Sequence, residues 1–239
     1  MILTKEEVLV VIPAFNEEKS ISNVISAVSN AGFTMVVVSD GSGDRTAEIA
    51  RESGARILEL PINLGVGGAL RTGFQYAVRH GYKAIAQVDA DGQHNPSKVH
   101  DLLEVANSTG ADLVLGSRFL SGETTMKVGT LRRFVMRVLA TSASVATRTT
   151  ITDATSGFRL IRRPLLDHFS VDLATNYLGD TYESLIAAGR AGYGIVEVPV
   201  AMSERSHGTS SASVPAAVRF TIKGLGVFLL GLHPKINPK

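Results

Sequence analysis

Apolar residues in the first half of the chain fall into short runs, and between those runs their spacing changes from contiguous to helical. Val8–Ile12 is an unbroken stretch of Val, Leu and Ile, the pattern of a strand buried on both faces of a parallel sheet. From Ser20 to Ala31 the apolar positions are Ile21, Val24, Ile25 and Val28, a helical period that stops at Gly32. The alternation continues with a strand at Met35–Val38, a helix at Thr46–Ser53, a strand at Arg56–Leu60 and a helix at Gly67–His80. Ala84–Val88 predicts a fourth strand, Ser97–Asn107 a fourth helix and Asp112–Gly116 a fifth strand. This βαβα succession predicts an α/β fold, an open and mostly parallel sheet with helices on both faces.

In such sheets ligands bind beyond the carboxyl ends of the strands, and the polar clusters of this chain fall there. They read P-A-F-N-E-E (Pro13 to Glu18), D-G-S-G-D-R-T (Asp40 to Thr46), N-L-G-V-G-G-A-L-R (Asn63 to Arg71) and V-D-A-D-G-Q-H-N-P (Val88 to Pro96). If the fourth strand stays extended through its cluster, Asp89 and Asp91 point to one side, with Ala90 between them. With Gln93 they form a hard oxygen set suited to Mg²⁺ or Mn²⁺ that also holds a substrate's phosphates. Asp40 can accept hydrogen bonds from a ribose or base edge, and Gly41 and Gly43 let the backbone approach a ligand closely. Gly65, Gly67 and Gly68 precede a helix whose first amides favour anions, and Arg71 is placed to contact a diphosphate. Each cluster also has an ordinary structural reading as a helix cap, a turn or a tight connection. Their succession at four consecutive strand ends is what points to a site.

Composition narrows the picture. A chain of 239 residues can bury one large core, and 44% hydrophobic with 19% charged residues is a globular balance. The absence of cysteine excludes a disulfide scaffold and any thiolate ligand or nucleophile. The N-terminus, M-I-L-T-K-E-E, runs directly into a strand without a signal-peptide pattern, so a cytoplasmic location is expected. The net charge is only +2, yet after Glu204 no acidic residue occurs while Arg205, Arg219, Lys223, Lys235 and Lys239 do. A catalytic domain over 1–212 and a basic, apolar segment over 213–239 are therefore expected. The apolar stretch Gly224–Leu232 is too short to span a bilayer, which takes about 20 residues, but the tail suits an anionic membrane surface. Thr130–Val145 sets Leu131, Phe134, Val135, Val138 and Leu139 against Arg132, Arg133 and Arg137. Two readings fit it, an interfacial amphipathic helix and a core-packed helix with solvated arginines.

The four clusters, in this order and spacing, resemble those of the inverting family 2 glycosyltransferases. Within that family they are most similar to the dolichyl-phosphate mannosyltransferase and polyprenyl-phosphate glycosyltransferase branch, over roughly residues 8 to 210. The resemblance implies a GT-A fold, a nucleotide-diphosphate sugar donor carrying a mannose- or glucose-type sugar, and a divalent cation, Mg²⁺ or Mn²⁺. It implies that Pro13, Phe15, Glu17, Asp40 and Arg71 line the nucleotide with Asp89 nearby, and that Asp91 and Gln93 hold the metal. D-A-T-S-G-F-R (Asp153 to Arg159) resembles the segment that marks the lipid-phosphate branch, and Arg118 and Arg205 match two further positions. Three arginines brought together would grip a phosphate. Where the branch has a lysine after the serine of its last loop, this chain has Ser211 after Ser210, a departure that bears on how the loop closes over the donor.

A lipid phosphate, with a second pKa near ~6, needs positioning more than proton removal. A hydroxyl acceptor would need a carboxylate base, for which Asp153, Asp180 and Glu183 are the candidates. Asp180 and Glu183 stand at i, i+3, and by its spacing to V-E-V-P Glu183 matches a glutamate of the lipid-phosphate branch; Asp180 also reads as a helix N-cap. The expected partners are the donor, a lipid-phosphate acceptor, and a peripheral membrane surface at the cytoplasmic face or a membrane-anchoring protein. No nucleic acid is expected. Two other functions stay open, a soluble glycosyltransferase acting on a hydroxyl and a non-catalytic nucleotide-sugar-binding protein. A sugar nucleotidyltransferase is disfavoured, since P-A-F-N-E-E stands where its glycine-rich loop would follow the first strand.

Overall fold

The computed structural model describes residues 2–120, 130–173, 179–201 and 236. The predicted alternation is present as β1 (Val8–Ala14), α1 (Ile21–Asn30), β2 (Thr34–Asp40), α2 (Thr46–Glu52), β3 (Arg56–Leu60), α3 (Val66–Arg79) and β4 (Ala84–Gln87). A 3-10 turn at Pro96–Lys98, begun by the Asn95 side chain accepting from the Ser97 amide, leads into α4 (Val99–Thr109), and β5 (Leu113–Ser117) follows. The second half adds α5 (Thr130–Thr147), β6 (Arg159–Arg162), α6 (Leu165–Val171), α7 (Ser184–Arg190) and β7 (Ile195–Pro199).

The seven strands form one sheet in the order β3-β2-β1-β4-β6-β5-β7. All neighbours pair in parallel except β6, which runs antiparallel to both β4 and β5. Sequence periodicity did not identify β6, because four residues reading R-L-I-R carry no usable period. It is nevertheless the strand that matters most for the site. Inserted between β4 and β5, it sets Arg159 opposite both Gln87 and Leu115. The segment before it is thereby delivered to the carboxyl end of β4.

Strand side chains alternate between two cores. Val8, Val10 and Ile12 of β1 face one core with α1, α2 and α4 residues, whereas Leu9 and Val11 face the other with α3, α5, α6 and α7. Burial on both faces explains the unbroken apolar runs, and it leaves the strand ends as the place where polar groups collect.

Candidate active site

The first two clusters are tied together. The Asn16 amide donates to Ser42 Oγ and the Gly43 amide to Asn16 Oδ1, with Asn16 in the left-handed region at φ 56°. The Glu17 amide donates to Thr46 Oγ1, and the amides of Glu18 and Thr46 donate to the Asp44 carboxylate. Although partial burial works against its charge, the Thr46 hydroxyl, which also donates to it, and these amides hold the Asp44 pKa below the usual carboxylate value. Glu17 also accepts from Ser20 Oγ at 2.7 Å, and Phe15 stands exposed at the mouth with Pro13 half-buried behind it.

Asp40, at the end of β2, is buried, and its Oδ1 accepts the Leu64 amide at 2.7 Å. It therefore anchors the approach to α3 with one oxygen. Gly41 differs from its expected role. At φ 65°, a Cβ there would lie 2.6 Å from the backbone of Ile62 and Asn63. The close approach it permits is to the β3–α3 loop. Arg71 is half-buried on α3.

At β4 the structure corrects the geometry expected for the paired aspartates. The ladder ends at Gln87, and the backbone turns at Ala90–Gly92, with Gly92 at φ 75°. Strand alternation therefore does not set the two carboxylates. Asp91 is buried and its Oδ1 accepts the Gln93 amide at 3.0 Å, an Asx-type turn. The Asp89 side chain remains 36% exposed, with His94 Nδ1 at 3.6 Å from its Oδ2. Gly157 is also close, and a Cβ there would come within 3.1 Å of Asp89 Oδ2 and 3.2 Å of Gln87 Nε2. A larger residue there would crowd this carboxylate, and glycine lets the D-A-T-S-G-F-R segment lie close against it.

That segment is clamped from the other direction. Asp153 is fully buried and takes Nε and Nη2 of Arg118 at 2.5 and 2.6 Å. Burial opposes the Arg118 charge, yet the Asp153 pair outweighs it and raises the Arg118 pKa. Glu197 of β7 accepts from both the Thr152 and Asp153 amides at 2.8 Å, and Ser117 and Thr152 share a hydroxyl bond of 2.6 Å. Asp153 is thus an arginine-paired carboxylate in this structure.

Arg159 departs furthest from its expected role. Its side chain is fully buried, Nε and Nη2 donate to Ser156 O, and Nη1 reaches Thr181 O and Ser184 Oγ. These donors brace the backbone before and after the site. Arg205, with Ser210 and Ser211, lies outside the described residues. Asp180 and Glu183 belong to a π-helical turn, Gly179–Glu183, and both are buried. Asp180 does not cap α7, whose first turn has no side-chain cap; Ser184 Oγ instead donates back to the Asp180 and Thr181 carbonyls.

Asp180 Oδ1 is buried without a hydrogen-bond partner. Burial pushes its pKa up to about 6, the charge of Arg159 opposes that rise, and the charge of Asp89 adds to it. Burial likewise lowers Arg159 to about 10. The Asp180 proton is therefore held more tightly in the folded chain than in the unfolded one. The resulting stability is complete below pH 4 and lost as pH rises through about 6. Asp180→Asn should remove this loss, stabilising the protein at pH 8 by on the order of 1–3 kcal/mol. Urea titrations at pH 4 and pH 8 would measure this, and an equal effect at both pH values would refute the buried-carboxyl account.

Between α5 and the loop before Asp153 lies a groove of about 560 Å³, lined by Phe119, Met136, Ala140 and Ile151 with Arg133 and Arg137. Val135 and Leu139 of α5 are buried in the core, while Phe134 and Val145 are exposed. The helix is thus core-packed along one stripe and apolar with arginines along another. Leu131 and Arg132 have side chains outside the described residues.

Asp44, Thr46, His94, Gly157 and Glu197 carried no separate signal in the sequence, because each acts through a contact in the folded chain. A Ser/Thr hydroxyl or glycine with a partner 25 or more residues away looks like any loop residue.

The model of the family described as "Glycosyl transferase family 2" matches residues 9–169. The polyprenol monophosphomannose synthase of Mycolicibacterium smegmatis is 31% identical over 224 residues, covering 87% of this chain and 82% of that protein. The undecaprenyl-phosphate mannosyltransferase of Micrococcus luteus is 30% identical over 242 residues, covering 96% of this chain and 99% of that one. Among solved structures, glucosyl-3-phosphoglycerate synthase from Mycobacterium tuberculosis, crystallised with Mn²⁺, UDP and phosphoglyceric acid, superposes with a TM-score of 0.70. The two are 22% identical, with 92% of this chain and 78% of that one covered, and the likeness establishes the GT-A fold.

Proposed function

The chain belongs to glycosyl transferase family 2, and from that membership we propose that it moves a mannose- or glucose-type sugar from a nucleotide-diphosphate donor to a polyprenyl phosphate, with inversion. The observation that carries this reading is the contact of Asp89 with Gly157. Through it, the turn that would face the donor diphosphate abuts the segment that marks the lipid-phosphate branch. The names of the two mannosyltransferase relatives support the same acceptor class.

Asp91 and Gln93, with Asp89 beside them, offer hard oxygen donors that fit Mg²⁺ or Mn²⁺. When bound, such a cation would neutralise the diphosphate as it departs. Asp40 and Arg71, with Pro13, Phe15, Glu17 and the Gly41 turn, line the nucleotide. Arg118, held by Asp153, borders the acceptor position, and the α5 groove supplies an apolar path with Arg133 and Arg137 for a phosphate-bearing chain. Glu183 is a positioning group here, since an ionised phosphate needs no base. We assign catalysis to 1–212 and membrane contact to α5 and 213–239, most of which lies outside the described residues.

No helix among the described residues is long and apolar enough to cross a membrane. Surface contact is favoured by charge: from Thr124 to Thr152 the chain has no acidic residue but contains Lys127, Arg132, Arg133, Arg137 and Arg148. Arg133→Glu with Arg137→Glu should weaken sedimentation with phosphatidylglycerol vesicles at least about tenfold, leaving nucleotide affinity intact. Unchanged vesicle binding would remove α5 from the membrane face and shift anchoring to the tail or a partner protein.

The functional assignment is tested by offering GDP- and UDP-sugars with a short polyprenyl phosphate and following lipid product. Product from a hydroxyl acceptor alone would favour the second reading, a soluble transferase. One observation speaks for it, the unpartnered Asp180 Oδ1 on a carboxyl with a pKa near 6. On that reading Asp180→Asn abolishes turnover while sparing donor binding. Binding without turnover on any acceptor would leave a non-catalytic nucleotide-sugar-binding protein.

A further inference from the structure

His94 closes the D-A-D-G-Q-H turn, and its environment is unusual for a loop histidine. The ring is buried, with 4% of the side chain exposed, and Nδ1 makes no hydrogen bond. A buried ring nitrogen left without a hydrogen-bond partner is costly. The acceptor facing it is Asp89 Oδ2 at 3.6 Å, just beyond hydrogen-bonding reach.

The parts around this pair are fixed unequally. The ring packs on Phe158, with centroids 5.0 Å apart. Phe158 is itself held by its amide donating to Ser156 Oγ and its carbonyl accepting from the Gly116 amide. Gly157 also lies close to the Asp89 carboxylate. The ring is therefore held, and the partly exposed Asp89 side chain is the piece with room to move. A shift of a few tenths of an ångström brings Oδ2 into hydrogen-bonding range of Nδ1.

We infer that His94 is a positioning residue for Asp89, its Nδ1–H fixing the Asp89 carboxylate against the nucleotide diphosphate and its cation. The inference rests on the donor site placed above at Asp89, Asp91 and Gln93. A neutral ring with its proton on Nδ1 suffices, since that tautomer is a donor at this nitrogen. Histidine–carboxylate contacts behind a metal site hold its ligands in orientation, and disrupting them typically weakens metal affinity or activity about 10–100-fold.

The test compares His94→Phe, His94→Asn and His94→Gln in the full chain. Phenylalanine keeps the packing on Phe158 and removes the donor. Asparagine places an amide N–H near the Nδ1 position, and glutamine places it further out. GDP and UDP binding is measured by calorimetry with Mn²⁺ and with EDTA, Mn²⁺ affinity by electron paramagnetic resonance, and donor KM and kcat alongside. His94→Phe should weaken Mn²⁺-dependent nucleotide binding about 10–100-fold and raise donor KM. Acceptor KM and binding in EDTA should not change, and His94→Asn should recover most of the loss. Wild-type behaviour of His94→Phe would overturn the inference, as would a folded His94→Asn as impaired as the phenylalanine variant. Should His94→Phe misfold, His94→Gln takes its place with the same expected loss. If the wild-type protein binds neither nucleotide with Mn²⁺, the donor site itself is wrong and the inference falls with it, a result read before any variant is compared.

Discussion

Asp91→Ala should lower sugar transfer by a factor of about 10³, the usual scale for removing an electrostatic group aimed at developing charge. Asp91 is the more buried of the paired aspartates, and its Oδ1 is already oriented by the Gln93 amide. An oriented, buried carboxylate loses little on receiving a cation, because the turn has already fixed its rotamer. Asp91→Asn separates charge from architecture. The amide oxygen can still accept the Gln93 amide, so the turn survives, but the negative charge that would hold the metal is gone. Both variants should lose turnover together with Mn²⁺-dependent nucleotide binding, while thermal melts of Asp91→Asn stay near wild type. Transfer that persists undiminished in Asp91→Ala would end the metal role of this residue.

The second large effect should fall on stability. Arg159→Ala removes a fully buried guanidinium that bonds Ser156 O, Thr181 O and Ser184 Oγ, and with it every one of those charge-assisted bonds. It also leaves Asp180 without its nearby positive charge. Breaking a buried charged network from one side costs about 3–5 kcal/mol, a fall in melting temperature of roughly 6–20 °C for a domain of this size. Since part of the loss arises from the stranded Asp180 charge, adding Asp180→Asn should restore some of it, more than independent effects would allow. Circular dichroism melts of the two single variants and the double would read this. If Arg159→Ala melted like wild type and lost only acceptor affinity, the arginine would return to the phosphate-binding role its motif implies.

These two residues show where sequence reasoning holds and where it stops. The D-A-D-G-Q motif lies at the end of a strand whose apolar run is readable, so the position of Asp91 followed from periodicity. Its orientation did not, because the strand ends at Gln87 and a turn, not an extended pleat, arranges the carboxylates. Arg159 is readable as a motif residue, but the contacts that it makes are not. An arginine looks the same in a sequence whether it faces solvent, a phosphate or three backbone carbonyls. Gly41 was likewise recognised as a close-approach position, but what it approaches is the β3–α3 loop.

The sequence by itself determined the α/β alternation, the four polar strand ends and the membership of the family, all of which depend on patterns within about fifteen neighbouring residues. Only the tertiary structure decided which groups meet. The antiparallel insertion of β6 between β4 and β5 places Gly157 against Asp89 and buries Arg159 under Asp180. Glu197, brought from β7, fixes Asp153 and through it Arg118. Such contacts join segments some 20 to 70 residues apart, and local periodicity cannot encode them, because the pairing that creates them is set by how the whole sheet buries its two faces.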